Sequence, residues 1–185
     1  MKEVAARAID GEAFRGALQL HAAGVVVITA ESDGVPLGLT VTTFTSASLS
    51  PPLVSFYIDR GSASAPGLSS SAHFAANILA GGQSELAARF SRKGVDRFAA
   101  PTRWHLGPRG IPLLDDVSAR LICSLDAATE IGDHILLVGL VMDVSVDPES
   151  RPLVYHGRRF GGFLPHPSPN GTSRPAEQKP EQKVD

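Results

Sequence analysis

The sequence predicts a mainly β domain, a largely antiparallel barrel with flanking helices. Three observations predict it. Short runs rich in β-branched and alternating apolar residues recur along the chain, at 25–30 (VVVITA), 38–58, 74–79 (FAANIL), 119–127 and 135–146. Ser32-Asp33-Gly34 separates two such runs with hairpin chemistry, because Asp and Gly tolerate the positive φ of a tight turn. The runs do not alternate with long helical patterns, so the βαβ rhythm of a parallel sheet is missing.

Taken in order, the chain should open with a helix capped by Asp10, carrying Phe14, Ala17, Leu18 and His21 or Ala22 at helical spacing, and stopped by Gly24. Residues 25–30 and the Asp33-Gly34 turn make a hairpin into Leu37. The next stretch, GLTVTTFTSASLSPPLVSFYI (38–58), is the most distinctive. Leu39 and Val41 alternate with Thr40 and Thr42, and hydroxyls continue through Thr43, Thr45, Ser46 and Ser48 around Phe44. Pro51-Pro52 should stop the pairing, since neither nitrogen can donate to a ladder. After Asp59-Arg60-Gly61 turns the chain, Ser62 or Ser64 with Pro66 starts a short helix near Leu68. FAANIL reads as a strand bounded by Gly81-Gly82. Ser84 should cap a helix with Leu86 and Phe90 on one face, ending at Ser91-Arg92-Lys93-Gly94.

Residues 95–118 carry few periodic signals and several Pro and Gly, and are expected to be a long ordered loop or short helical turns. Ala119, Leu121, Cys123, Leu125 and Ala127 share one strand face, with Cys123 in the core. The run ILLVGLVMDVSV (135–146) is apolar on both faces for most of its length, as inside a closed barrel or at a subunit contact. From Pro165 the composition lacks core-forming side chains apart from one valine. One domain over 1–164 and a disordered tail over 165–185 are therefore expected.

Composition narrows the function. A net charge of -2 gives no electrostatic case for nucleic acid or an anionic membrane. One cysteine excludes an internal disulfide and any multi-cysteine metal site. Apart from His134, the histidines (His21, His73, His105, His156 and His166) form no pair at ligand spacing, so no metal site is expected. The N-terminus lacks the apolar core of a secretory signal and no apolar run is long enough to span a bilayer, so a cytoplasmic protein is expected. No GxGxxG, GxxxxGK[ST] or GxSxG element is present, so Rossmann, P-loop and serine-hydrolase chemistry have no support. Short hydroxyls and accessible amides beside a strand end suit an anion or the polar edge of a heteroaromatic ring. Threonine's plain preference for strands accounts for them equally well.

Four segments in order, GLTVTTFTSASLSPPLVSFYI, NILAGGQSELAARFSRKG, GDHILLVGLV and PLVYHGRRFGGF, resemble the flavin reductase-like family with its FMN-binding split barrel. The resemblance covers roughly residues 12–164. It implies an NAD(P)H-dependent flavin reductase acting on FMN or FAD, a homodimer, and supply of reduced flavin to a partner monooxygenase. It implies a flavin lined by Thr40, Thr42, Thr43, Phe44, Ser46 and Ser48, with Asn77 nearby. A satisfied strand-end amide is the structural alternative for Asn77. Phosphate-side contacts fall on Phe90, Ser91, Arg92 and Lys93, where cations at a helix C-terminus also have a purely electrostatic reason to occur. His134, in Gly132-Asp133-His134, is the implied catalytic residue beside the nicotinamide, as a positioning group or proton supply. Tyr155, Arg159 and Phe160 belong to a late segment implied to close over the cofactor; Arg158 and Arg159 can meet a dinucleotide phosphate or stay solvated. A flavin carrier or sensor on the same barrel, and a tightly flavin-bound oxidase resembling pyridoxamine phosphate oxidases, are the alternatives.

Overall fold

The apolar run that enters β2 (Val26–Ser32) is buried on both faces, and each face serves a different core. Val26, Ile28 and Ala30 point into the barrel, where they meet Phe56, Phe74, Cys123 and Leu137. Val25 and Val27 point the other way, into a second cluster with Ala87, Phe90, Leu114 and Leu153. Alternation of side chains along a strand makes this division unavoidable once both faces are covered. It is why the run reads as uninterrupted rather than alternating.

The computed structural model describes residues 9–166, so the expected tail lies outside the described residues from 167 onward. The chain runs α1 (Gly11–Leu18), β1 (Ala23–Gly24), β2, β3 (Val35–Val41), β4 (Thr45–Leu49), β5 (Pro52–Asp59), α2 (Ala65–Ser70), β6 (His73–Ile78) and α3 (Ser84–Ser91). It continues through β7 (Trp104–Leu106), β8 (Pro112–Leu114), β9 (Ala119–Ile131), β10 (His134–Val146), β11 (Leu153–His156) and β12 (Arg159–Gly162). One sheet has the order β3-β2-β6-β9-β10-β5-β4, and every pairing in it is antiparallel. β1, β11 and β12 form a small separate sheet, and β7 pairs with β8. The large sheet curls until β3 comes back alongside β5, and α2 sets Ala65 and Leu68 into the interior. This is the predicted split barrel.

Local chemistry explains most boundaries. Asp33 and Gly34 both adopt positive φ, 53° and 78°, and bring Ser32 opposite Val35. Asp10 caps α1 by accepting the Glu12 N–H at 3.3 Å. Four expectations need correction. α1 ends at Leu18, not Gly24; Gly24 lies in β1, opposite Val154, because pairing with β11 is available there. Pro52 opens β5 opposite Leu49, so the prolines turn a hairpin between β4 and β5 instead of ending the pairing. Gln83, not Ser84, is the N-cap of α3, and its side-chain oxygen accepts the Ala80 N–H at 2.9 Å. Residues 95–118 hold the β7–β8 hairpin, which packs Ile111 and Leu113 against Ala75 and Ile122 outside the barrel. Three-residue strands are too short to show a period.

Cys123 is buried in the barrel core as expected, and burial pushes its thiol up to about 12. Asn77 is fully buried between sheet and hairpin. Its amide nitrogen donates to the Val27 carbonyl and the Thr29 hydroxyl, both at 3.0 Å. Its oxygen accepts from Leu114 N–H at 3.3 Å and from Arg120 Nε at 3.2 Å. Thr29 in turn donates to the Pro112 carbonyl at 2.5 Å. These bonds fasten β8 to the barrel wall.

Asn77→Ala should therefore strand a buried N–H and part of the Arg120 guanidinium. The expected cost is about 2–3 kcal/mol, a fall in Tm of roughly 4–12 °C for a chain of this size. Thermal unfolding followed by circular dichroism measures it, and a Tm within 2 °C of the parent would remove this network from the account of stability.

Candidate functional site

β3 and β5 lie side by side at the split but do not pair as strands. A side chain joins them. The Thr43 hydroxyl, just beyond β3, accepts the Tyr57 N–H at 3.0 Å and donates to the Tyr57 carbonyl at 3.1 Å. One hydroxyl thus takes the place of a ladder rung, and two cavities meet at this point.

The first cavity, about 520 Å³, runs along β3 and β5 to the loop after α3. It brings together Thr40, Thr42, Thr43, Phe90, Ser91, Lys93 and His134 from the sequence-predicted set. Their hydroxyls are not equivalent. Thr40 donates to the Ala87 carbonyl at 2.7 Å, Ser91 to Ala88 at 2.8 Å, and Thr43 is held by Tyr57. Among the described residues Thr42 has no such partner and remains available to a ligand. Phe90 reaches the cavity wall because Gly38 lacks a side chain: a Cβ there would stand 2.7 Å from the Phe90 ring.

The ends of this cavity differ in charge. Lys93 and Arg97 stand at one end, and neither makes an ion pair among the described residues. Arg97 was missed by the sequence, because the 95–118 segment shows no pattern to place it. Its Nη1 donates to the Gly38 carbonyl at 2.6 Å and the Ser64 hydroxyl at 2.9 Å, and its Nη2 donates to the Arg92 carbonyl at 2.8 Å. It ties β3, the start of α2 and the end of α3 together, and burial draws its pKa below that of a free guanidinium. At the other end, His134 pairs with Asp59 across β5 and β10. Its Nδ1 lies 2.7 Å from Asp133 Oδ1. The hydrogen bond and the charge of His134 hold the Asp133 carboxyl below the usual carboxylate range, so it is ionised at neutral pH. An ionised Asp133 requires Nδ1–H as donor and leaves Nε2 for a ligand.

The other predicted residues lie elsewhere. Ser46 and Ser48 are on β4, outside the cavity, and Phe44 packs against the barrel core. Asn77 is committed within the wall, for the reason given above. Arg92 turns to the opposite side of α3, into a polar cavity of about 570 Å³ with Arg89, Arg103, Asp115 and Asp116. Tyr155 packs on Phe160 with ring centroids 5.3 Å apart, and Arg159 and Phe160 are exposed on β12. Tyr155 lines a second cavity, also about 520 Å³, between α1 and the β11–β12 turn. Thr42, Thr43 and Tyr57 line both cavities, so the two are contiguous. Tyr57 was legible in principle: in LVSFYI, Val54, Phe56 and Ile58 face the core and leave Tyr57 on the outer face.

The flavin reductase like domain model matches residues 18–163. The reductase subunit of a flavin-dependent monooxygenase from Rhodococcus jostii is 38% identical over 162 residues, covering 88% of this chain and 83% of that protein. A protein from Agrobacterium fabrum named FMN reductase (NADH) is 36% identical over 154 residues, covering 83% and 87%. The structure of the Streptomyces globisporus NADH:FAD oxidoreductase in complex with NAD and FAD fragments superposes with a TM-score of 0.79 at 32% identity, covering 86% of this chain and 98% of that one.

Replacing Thr43 by Val keeps the β-branched shape and removes both bonds to Tyr57. Because that backbone is exposed, the loss should be about 0.5–1.5 kcal/mol, or a Tm lower by roughly 1–6 °C. Thr42→Val, one residue away and without a protein partner, should leave Tm unchanged. Equal melting of the two variants would mean that the Thr43 bridge does not hold the split closed.

Proposed function

The chain belongs to the flavin reductase-like family, and from that premise we propose that its first cavity is where flavin and reduced nicotinamide meet. The protein is an NAD(P)H:flavin oxidoreductase that supplies reduced flavin to a partner monooxygenase. The observation that carries the site assignment is the convergence of Thr42, Lys93 and His134, far apart in sequence, on one cavity of flavin size.

The residues present fit such a ligand. The cationic end, Lys93 with Arg97 behind it, suits a phosphate, by charge in both cases. The uncommitted Thr42 hydroxyl can bond the polar edge of the ring system, and the Phe90 and Tyr57 rings give it apolar walls. Held there by Thr42 and Lys93, a flavin would supply the two-electron acceptor for the hydride of the nicotinamide C4, with the accompanying proton drawn from solvent. Hydride transfer needs no protein acid or base; it needs the two rings held about 3–3.5 Å apart. His134 is the positioning group at that end. Its Nε2 accepts a hydrogen bond when neutral and donates one when protonated, and Asp133 fixes which way the ring faces.

A homodimer is also proposed. Met142, Val144 and Val146 form an exposed apolar row on β10, and Phe14 and Leu18 stand exposed on α1. Apolar side chains left exposed in a row along a strand suit a subunit contact. A sedimentation mass equal to one chain at micromolar concentration would rule the dimer out. Among the described residues no helix is long and apolar enough to cross a membrane.

NADH oxidation that rises with added free FMN is the first test; a protein that binds flavin without turnover would be a carrier instead. His134→Ala should then lower kcat/KM for NAD(P)H about 5- to 150-fold, the equivalent of losing about 1–3 kcal/mol of positioning. Flavin affinity should barely move. Anaerobic stopped-flow reduction read at the flavin absorbance isolates the step, and parental rates would take His134 out of the site.

A further inference from the structure

The first cavity carries one carboxylate, and it stands at the His134 end. Of the residues that line the cavity only Asp59 is acidic, while Lys93 and Arg97 bring fixed positive charge. Asp59 is the cross-strand partner of His134, and residues directly opposite on an antiparallel pair project from the same face. It shares that outer face with Tyr57, two residues back along β5.

The Asp59 carboxyl is only half committed. Its Oδ1 accepts the Gly61 N–H at 2.7 Å and so closes the turn that leaves β5. Among the described residues its Oδ2 has no hydrogen-bond partner, and Asp59 makes no ion pair with His134 or with any other cation. The neighbouring Arg60 does not neutralise it. That guanidinium goes to Glu130 at 3.3 Å and to the Gly132 carbonyl at 3.5 Å. The turn needs one oxygen and no charge, so asparagine would serve it as well. What remains is a free carboxylate oxygen beside the imidazole, in a cavity whose other end is cationic. Such a group accepts N–H donors and repels anions.

We propose that Asp59 is a specificity-determining residue for the hydride donor. Its Oδ2 accepts an N–H of the nicotinamide carboxamide, and its charge excludes donors that carry a carboxylate in place of that amide. Naming the amide as nicotinamide's rests on the flavin reductase function proposed for this cavity; the preference for an amide over an acid does not.

The test uses the full chain and Asp59→Asn, which keeps an oxygen for the Gly61 N–H and removes the charge. Calorimetric titration compares NAD with nicotinic acid adenine dinucleotide, which differ only at the amide. The parent should bind the amide form about 10-fold or more tightly, and Asp59→Asn should narrow that ratio by about 10-fold. The ratio of kcat/KM for the two reduced forms, with FMN as acceptor, should narrow alike; comparing variant with parent cancels any intrinsic difference between the donors. Glu130→Gln removes a carboxylate outside the cavity and should leave the ratio at its parental value. The proposal is overturned if the parent binds both forms equally or binds neither, or if Asp59→Asn keeps the parental ratio. It is also overturned if Glu130→Gln narrows the ratio as much, since the effect would then be a general field. A loss of FMN affinity at unchanged ratio would seat the flavin N3–H on Asp59 and overturn it too. Should the parent reduce flavin with neither donor, the reductase function falls, and the titrations still decide whether Asp59 sorts amide from acid.

Discussion

A single hydroxyl holds the split of this barrel. Antiparallel ladders join every other neighbour in the large sheet, but β3 and β5 meet without one, and Thr43 spans them by bonding both backbone groups of Tyr57. A full ladder there would seal the wall and leave no groove. No connection at all would leave two unpaired edges open to other chains. The Thr43 bridge keeps the strands together while their faces stay apart enough for cavities on either side. Tyr57, whose backbone completes the bridge, presents its ring to both.

Electrostatic asymmetry follows from the same arrangement. The loop after α3 is drawn to β3 by Arg97, which collects acceptors from three elements and brings its charge with it. The opposite end is set by the β10 entry, where Asp133 holds the His134 ring. A ligand with an anionic tail and a polar ring edge therefore meets a cation at one end and an orientable imidazole at the other.

The predicted hydroxyl-rich segment shows how function and fold share residues. Thr40, Thr43 and Ser91 give their hydroxyls to backbone carbonyls, so their polarity is structural even though they line the cavity. Thr42 alone of these four keeps its hydroxyl free among the described residues. Asn77 belongs wholly to the wall: with its four hydrogen bonds it links the barrel to the β7–β8 hairpin, whose three-residue strands are too short to show a period.

The sequence by itself determined the barrel, the Asp33-Gly34 hairpin and the core. Alternation, β-branching and Asp-Gly turn chemistry are local properties, and they survive in β2, β3, β5, β6, β9 and β10. It also carried, through four motifs in order, the family and the reaction, and it placed His134 at the mouth of a strand. Only the tertiary structure decided which polar groups are free. Whether a hydroxyl or amide faces a ligand depends on which carbonyl comes to lie beside it, and those carbonyls, Ala87 for Thr40 and Tyr57 for Thr43, are contributed from 47 and 14 residues away. The same holds for Arg97, whose acceptors at Gly38 and Ser64 come from 59 and 33 residues away.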